Sequence, residues 1–152
     1  YFDRRSYLFL GHYSCVLNKD NRLRLPNGFS EFLKDGAYLI QGFDRNLMIL
    51  TTDAFNEVYK CVTSVSITDP IARLLLRLII GTTSKLDVDI DWSVRLSPSL
   101  IHYANLNLEA IVVGQGDYFE VWSPELWALQ ESILNDTEAN AERFSTLMIA
   151  TR

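Results

Sequence analysis

The residues best suited to chemistry in this chain are three basic side chains near its start. Lys19, Arg22 and Arg24 lie within six residues of one another. Alternate residues of a strand share a face, so Arg22 and Arg24 can project their guanidinium groups together. Such groups suit contacts to phosphates, and one arginine can reach a guanine edge. The alternative is a solvated turn, and the residues by themselves leave both interpretations open.

A second segment carries the opposite charge. Asp87, Asp89 and Asp91 alternate along the chain and so share one face of a strand. A calcium-binding loop of this spacing needs glycine at its sixth position and glutamate at its twelfth, where Trp92 and Pro98 stand. We therefore expect no metal here. The segment is interpreted as a solvated acidic strip, or as a surface that pairs with a neighbouring molecule's basic hairpin to build a ring.

Other candidate groupings are incomplete. His12 and Cys15 are spaced like half of a metal site without a second half nearby, and Cys15 fits a core position. The chain contains no P-loop, no G-x-G-x-x-G motif and no Ser-His-Asp grouping. Gly114 and Gly116 fit a turn better than a phosphate cradle. We expect neither an enzyme nor a cofactor, metal or small-molecule substrate.

The net charge of the 152-residue chain is -5, from 14 Lys and Arg against 19 Asp and Glu. Such a total argues at first against a nucleic-acid binder, whose basic face usually shows in the sum. The charge is uneven, however, since residues 1–76 are close to neutral and the acidity belongs to residues 77–152. The total therefore hides one small basic hairpin and does not exclude DNA binding.

The composition also bounds the compartment. The most apolar run, residues 71–80, is interrupted by Arg73 and Arg77, and a spanning helix needs about 20 apolar residues. Two cysteines, Cys15 and Cys61, fit a reducing compartment better than a disulfide scaffold. We expect a cytoplasmic protein without a membrane segment. The chain does not begin with methionine, which leaves open whether residues precede it.

The chain contains an internal repeat. Residues 16–33 align with a later segment when Asn18 is placed against Asp89, an offset of 71 residues. Residues 38–55 align with residues 110–127 at an offset of 72. Two copies of one supersecondary unit therefore make up most of the chain. Short strands cannot close a core alone, so we expect the units to exchange hairpins in a pseudo-symmetric barrel or sandwich with added helices.

The order of elements is predicted from alternation, turns and caps. In the first unit we predict a half-buried strand at 13–17, a turn at 19–22, a strand at 23–25, a helix from Pro26 to Leu33, strands at 38–41 and 47–50, and a helix capped by Thr51 or Thr52. Later helices are predicted to start at Pro70, with Thr68 and Asp69 as N-cap candidates, and at Ser123-Pro124. A break or frayed end is expected at 135–140, followed by a last apolar patch at Phe144, Leu147 and Met148. The predicted divisions are a first unit at 9–60, a linker helix at 61–81, a second unit at 82–128 and a helical tail at 129–152.

Several blocks in this order resemble a known family. GHYSCVLNKDNRLRLP (11–26) is followed by QGFDRNLMIL (41–50), TDPIARLLLRLIIG (68–81) and VVGQGDYFEVWSPELW (112–127). Over residues 9–130 the chain resembles the MraZ family of bacterial transcriptional regulators. The resemblance implies an α+β, mainly β fold of tandem AbrB-like units, which form a pseudo-two-fold swapped-hairpin barrel with peripheral helices. It also implies a ring of many subunits that binds short promoter repeats of the division and cell-wall gene cluster at the nucleoid, usually as a repressor.

Members of that family carry a D-x-x-x-R motif in the first hairpin of each unit. Here the first copy runs from Asn18 to Arg22, so it keeps the arginine and has an amide in place of the aspartate. The second runs from Asp89 to Ser93, so it keeps the aspartate and lacks the arginine. The resemblance therefore assigns DNA contact to Lys19, Arg22, Arg24 and Asn18. The second motif, with Asp89, Ser93 and Arg95, is the weaker candidate.

The predicted function is a DNA-binding transcriptional regulator that acts as a homo-oligomeric ring on promoter DNA. The alternative is an oligomeric assembly module that has lost DNA recognition, because both copies of the motif are incomplete. A single-unit antitoxin of the AbrB type is less consistent with two units in one chain.

Overall fold

The structure is a computed structural model, and it describes residues 8–147. Its strands are β1 His12–Val16, β2 Arg22–Arg24, β3 Ala37–Gln41, β4 Leu47–Thr51, β5 Ser84–Leu86, β6 Ser93–Arg95, β7 Glu109–Gly114 and β8 Tyr118–Trp122. Its α-helices are α1 Thr52–Thr63, α2 Pro70–Ile79, α3 Pro98–Tyr103, α4 Pro124–Leu134 and α5 Thr137–Phe144, and a 3-10 helix spans Ser30–Leu33. The predicted α+β, mainly β class is confirmed.

The two halves of the chain are interleaved strand by strand. A six-stranded antiparallel sheet has the order β1-β7-β8-β4-β3-β5, and β2 pairs with β6 in a separate two-stranded ribbon. The first strand of each half pairs with the third strand of the other half, as β1 with β7 and β5 with β3. The second strands pair with each other, and so do the fourth strands, β4 with β8. This pattern is a pseudo-two-fold exchange of hairpins.

The ribbon of β2 and β6 lies between the two edges of the large sheet. A single bridge joins Leu17, just after β1, to Leu23 of the ribbon, and another joins Val88, just after β5, to Val94. In the part of the chain that is described, these isolated bridges do not close the expected barrel: the sheet stays open, and the ribbon is a separate two-stranded sheet. The short length of β2 and β6, three residues each, limits the pairing they can make.

The main core lies on the inner face of the sheet and under the ribbon. Successive residues of a strand point to opposite faces, so one side chain enters the main core and its neighbour meets a helix. On β3, Leu39 joins the main core, whereas Ile40 packs in a second cluster with α1 and α2. On β8, Val121 joins the main core, whereas Trp122 packs against Trp127 of α4. The helices therefore cover the outer face and leave the ribbon uncovered.

Local signals set the helix starts. The hydroxyl of Thr51 accepts from the Ala54 amide at 3.1 Å, and the carboxylate of Asp69 accepts from the Ile71 amide at 2.9 Å. The hydroxyl of Ser123 accepts from the Leu126 amide at 3.2 Å. These are N-caps, which supply an acceptor to the first unpaired amides of a helix. Of the predicted candidates, Thr51 and not Thr52 caps α1, and Asp69 and not Thr68 caps α2. The helix start predicted at Ser123-Pro124 is confirmed.

Two predicted helices differ from those found. The helix predicted from Pro26 to Leu33 is wrong in its first half, because Gly28 has a φ of +89°, outside the helical region, and only Ser30–Leu33 forms a 3-10 helix. The break predicted at 135–140 is shorter than expected, since Asp136 caps α5 and the helix resumes at Thr137. Met148 of the predicted apolar patch lies outside the described residues.

The predicted linker helix at 61–81 corresponds to the end of α1, a turn and α2, which begins at Pro70. The division of the chain into units at 9–60 and 82–128 stays a prediction. Within residues 8–147, no helix is long and apolar enough to cross a membrane.

Cys15 and Cys61 are both free thiols. Burial on β1 raises the pKa of the Cys15 thiol to about 11, so this group stays protonated at neutral pH and behaves as a small apolar side chain. The prediction that Cys15 is a core residue is confirmed.

The buried face of the ribbon provides a test of its structural importance. Leu23 is 0% exposed at the centre of β2, whereas Val16 on β1 is 61% exposed. We expect Leu23→Ala to lower the free energy of unfolding by about 2 to 5 kcal/mol, because it leaves a cavity under the ribbon. Val16→Ala is the control and is expected to cost less than about 1 kcal/mol. Urea denaturation at one protein concentration measures both, and equal midpoints would contradict the assignment.

Candidate nucleic-acid interface

The ribbon is formed by two hairpins that have the same local geometry. Each turn is closed by a backbone hydrogen bond, from the Asn18 amide to the Arg22 carbonyl at 3.0 Å and from the Asp89 amide to the Ser93 carbonyl at 2.8 Å. Asn21 has a φ of 63° and its equivalent Trp92 a φ of 65°. Asparagine tolerates this left-handed conformation readily, and an indole side chain rarely adopts it. The turn predicted at 19–22 is confirmed.

Each hairpin is also held by the other. The Leu25 amide donates to the Trp92 carbonyl at 3.0 Å, and the Leu96 amide donates to the Asn21 carbonyl at 2.8 Å. The residue at the tip of one hairpin is thus tied to the chain that leaves the other. These reciprocal bonds fix the relative position of the two hairpins before any side chain is considered.

Three arginines lie on the outward face of the ribbon. In the register of β2 with β6, Arg22 lies opposite Arg95 and Arg24 opposite Ser93. Between them Leu23 pairs with Val94, and both of these side chains are fully buried. Residues directly opposite share a face, so Arg22, Arg24 and Arg95 project away from the core. Arg95, predicted to belong to the weaker second motif, lies opposite Arg22 of the first.

Arg22 pairs with Asp89 of the other hairpin. Its Nη1 atom donates to Oδ2 of Asp89 in an ion pair, and the two side chains are only 30% and 35% exposed. The amide side chain of Asn18 faces its own turn, where Oδ1 accepts from the Asp20 amide at 2.9 Å and from the Arg22 amide at 3.0 Å. Asn18 therefore shapes the turn, while Asp89 contacts the guanidinium.

The pairing explains the incomplete motifs. At the repeat offset of 71 residues, Asn18 is equivalent to Asp89, and Arg22 is equivalent to Ser93. The pseudo-symmetric counterpart of the pair between Arg22 and Asp89 is therefore the combination of Ser93 with Asn18, which carries no charge. One cross-hairpin pair is complete and the other has lost both members. Within either copy alone, only half of the motif is present.

The acidic segment adjoins this pair. The hydroxyl of Ser93 donates to Oδ1 of Asp91 at 2.7 Å. That hydrogen bond lowers the pKa of the Asp91 carboxyl below its ordinary value, and the charges of Arg22 and Arg24 act in the same direction. Asp89 has its partner within the same chain, so the suggested pairing of the whole acidic strip with a neighbouring molecule does not hold for this residue.

The remaining basic groups of the ribbon are open to solvent. Lys19, Arg24 and Arg95 are exposed, and among residues 8–147 they form no ion pair. Three carboxylates lie near them: Asp20, which follows Lys19 in the first hairpin, and Asp89 and Asp91 in the second. The outward face therefore combines three accessible cations with one half-buried arginine held by a carboxylate, which is an arrangement suited to a polyanion.

A concave region separate from the ribbon lies between the large sheet and α4. It has a volume of about 500 Å³, and its lining includes His12, Glu120 and Trp127. Burial raises the pKa of the Glu120 carboxyl, which accepts a hydrogen bond from the Trp122 indole at 2.9 Å. In the described portion of the chain, no cluster of three or more His, Cys, Asp or Glu side chains is arranged to hold a metal ion. This region lacks the accessible cations of the ribbon.

Comparison with known proteins gives the family of the chain's relatives. Residues 79–147 match a family model described as "MraZ protein, putative antitoxin-like". A protein of Thermomicrobium roseum is 35% identical over 93% of this chain and 100% of its own length. One of Herpetosiphon aurantiacus is 33% identical with the same coverage, and one of Dictyoglomus thermophilum is 32% identical over 89% of this chain and 95% of its own length. All three are named Transcriptional regulator MraZ.

The cross-hairpin pair makes a prediction about stability. In a double-mutant cycle with Arg22→Ala and Asp89→Ala, we expect a coupling free energy of about 1 kcal/mol, because the pair is half-buried and joins elements 67 residues apart. The pair between Lys60 and Glu57, with a 3.6 Å separation and side chains more than 70% exposed, is the control. Its coupling should stay below about 0.5 kcal/mol. Chemical denaturation of the variants measures both, and equal couplings would refute the distinction.

Proposed function

Because this chain belongs to the MraZ family, we propose that it is a DNA-binding transcriptional regulator that contacts DNA through the ribbon of β2 and β6. The observation that carries the proposal is the outward face on which Arg22, Arg24 and Arg95 lie together beside Lys19. Most of the chain is acidic or neutral, so this face is a local basic surface that would attract a polyanion.

A two-stranded β-ribbon has the width of the DNA major groove. In the proposed complex, Lys19, Arg24 and Arg95 neutralise phosphates, because they are exposed and without carboxylate partners in the described chain. Arg22 is the proposed base-reading residue, since a guanidinium presents a rigid fork of donors that matches the O6 and N7 acceptors of guanine. Asn18 contributes by shaping the turn that presents Lys19.

A ring of identical subunits is proposed as the active form. The apolar residues Tyr59, Ile67, Ile71 and Leu74 are exposed on α1, α2 and the turn between them. A second exposed apolar group lies on α4, α5 and just beyond: Leu129, Ile133, Leu134, Phe144 and Leu147. Contact between two unlike surfaces of this kind is heterologous, and such contacts close into rings when the rotation permits. Linked copies would raise the effective concentration of each weak DNA contact.

The proposed target is a set of short repeats in the promoter of the division and cell-wall gene cluster, with repression as the outcome. The proposed location is the cytoplasm, at the nucleoid. No catalysis, cofactor or small-molecule substrate forms part of the proposal. The alternative of an assembly module without DNA recognition was motivated by two incomplete motifs, and the complete cross-hairpin pair weakens that motive.

The phosphate contacts predict a salt-dependent affinity. Arg24→Ala should weaken binding to the DNA upstream of the protein's own gene and to scrambled DNA by a similar factor. It should also reduce the slope of log affinity against log salt by about 1. Arg77→Ala on α2 is the matched control, because Arg77 is exposed but lies away from the ribbon. Fluorescence anisotropy measures the affinities. An affinity that stays flat from low to moderate salt would favour the assembly module.

The ring proposal predicts the mass in solution. Leu74→Glu places a charge on the exposed face of α2, where Leu74 is 64% exposed, and should shift the particle to a much smaller assembly. Ile90→Glu makes the same chemical change at a hairpin tip, where Ile90 is 100% exposed, and should leave the mass unchanged. Native mass spectrometry gives both results. A monomeric unsubstituted chain would overturn the proposal.

A further inference from the structure

We infer that Asp89 is a positioning residue for Arg22, so that the second hairpin fixes the geometry with which the first hairpin recognises a base. The inference rests on the proposed function. It adds that sequence discrimination belongs to both hairpins together, although only one of them carries the base-reading arginine. It also adds that each chain holds one such pair instead of two.

The geometry leaves Arg22 free to bind while it is held. An arginine side chain has five N–H donors, and the contact with Asp89 uses Nη1. The other donors of the fork are not occupied by Asp89. The side chains are 30% and 35% exposed, so solvent reaches the pair only in part and the attraction is screened less than at an open surface. A carboxylate at this position already restricts the rotamers of the long Arg22 side chain, so less conformational freedom is lost when Arg22 binds.

Neither of the other nearby acceptors is placed to do the same. Oδ1 of Asn18 accepts from two backbone amides of its own turn. Asp91 accepts from the Ser93 hydroxyl and is exposed, and it reaches Arg22 only as a nearby charge. Asp89 is the carboxylate that contacts the guanidinium directly, and it comes from the opposite hairpin.

The ribbon is asymmetric as a result. At the pseudo-symmetric position, Ser93 replaces the arginine and Asn18 replaces the aspartate, so that end of the ribbon has no base-reading arginine. A subunit that keeps both pairs would present the same contact twice, once in each orientation. With a single pair, each subunit presents one oriented contact.

The test distinguishes two roles for Asp89: it either positions the Arg22 guanidinium or only reduces the positive charge of the ribbon. The full-length chain, Asp89→Asn and Asp91→Asn are each titrated with the DNA upstream of the protein's own gene and with scrambled DNA of equal length. Positioning predicts that Asp89→Asn lowers the ratio of specific to non-specific affinity by about tenfold, the loss of one well-oriented base contact. Affinity for scrambled DNA should hold or rise, because a negative charge is removed. Asp91→Asn is the matched control and should raise both affinities by the same factor.

A second readout follows the arginine without DNA. Hydrogen-exchange and ¹⁵N relaxation NMR of the Arg22 side chain should show an ordered guanidinium in the original chain and an averaged one in Asp89→Asn. Asp89→Glu, which keeps the carboxylate, should restore order and part of the affinity ratio. Thermal denaturation checks that each variant is folded.

The outcomes are distinguishable. If Asp89→Asn raises both affinities equally, Asp89 only masks the basic face and the inference is wrong. An unchanged ratio, or an Arg22 side chain equally mobile in both proteins, also overturns it while the proposed function stands. If the original chain does not distinguish its own upstream DNA from scrambled DNA, the proposed function fails and the inference falls with it.

Discussion

The pairing of β2 with β6 joins two three-residue strands that neither hairpin could stabilise alone. Leu23 and Val94 meet at its centre with no exposed area, and the reciprocal bonds at Asn21 and Trp92 fix the hairpins on either side. Because both buried side chains point inward, the residues on either side of them must point outward. The outward position of Arg22, Arg24 and Arg95 follows from this single register. A shift by one residue would bury the arginines and expose the core.

Because the two repeats exchange hairpins, a difference between the repeats affects contacts made by both of them. When a functional pair lies within one repeat, each copy can decay independently. Here the two members of a pair come from different repeats, so a change in one copy affects a residue of the other. Loss of the aspartate at Asn18 and of the arginine at Ser93 removes both halves of one pair and leaves the second pair whole. The two residues are therefore consistent with each other, because a lone arginine at position 93 or a lone aspartate at position 18 would have no partner of opposite charge across the ribbon.

The features that sequence analysis predicted correctly are those set by neighbours in the chain. Caps at Thr51, Asp69 and Ser123 depend on a side chain and an amide two or three residues away. The helix at Pro26 failed on an equally local ground, since Gly28 takes a conformation that other residues avoid. The ion pair joins residues 67 apart, and no local pattern contains it. The signal was present in the repeat alignment, because hairpin exchange places position 18 of one copy against position 22 of the other.

In the proposed complex with DNA, the charge of the ribbon is a compromise between discrimination and affinity. Asp89 and Asp91 lower the potential that attracts phosphates, which weakens each individual contact. The same carboxylate that weakens attraction orders Arg22, and an ordered donor distinguishes bases better than a mobile one. A single subunit with this arrangement would bind any DNA weakly, so its selectivity becomes useful only when several copies act on one stretch of DNA. In that setting a lower affinity per contact is an advantage. An assembly with strong individual contacts would bind many wrong sequences through only a few of its subunits. An assembly with weak, selective contacts binds only where most of the DNA repeats match.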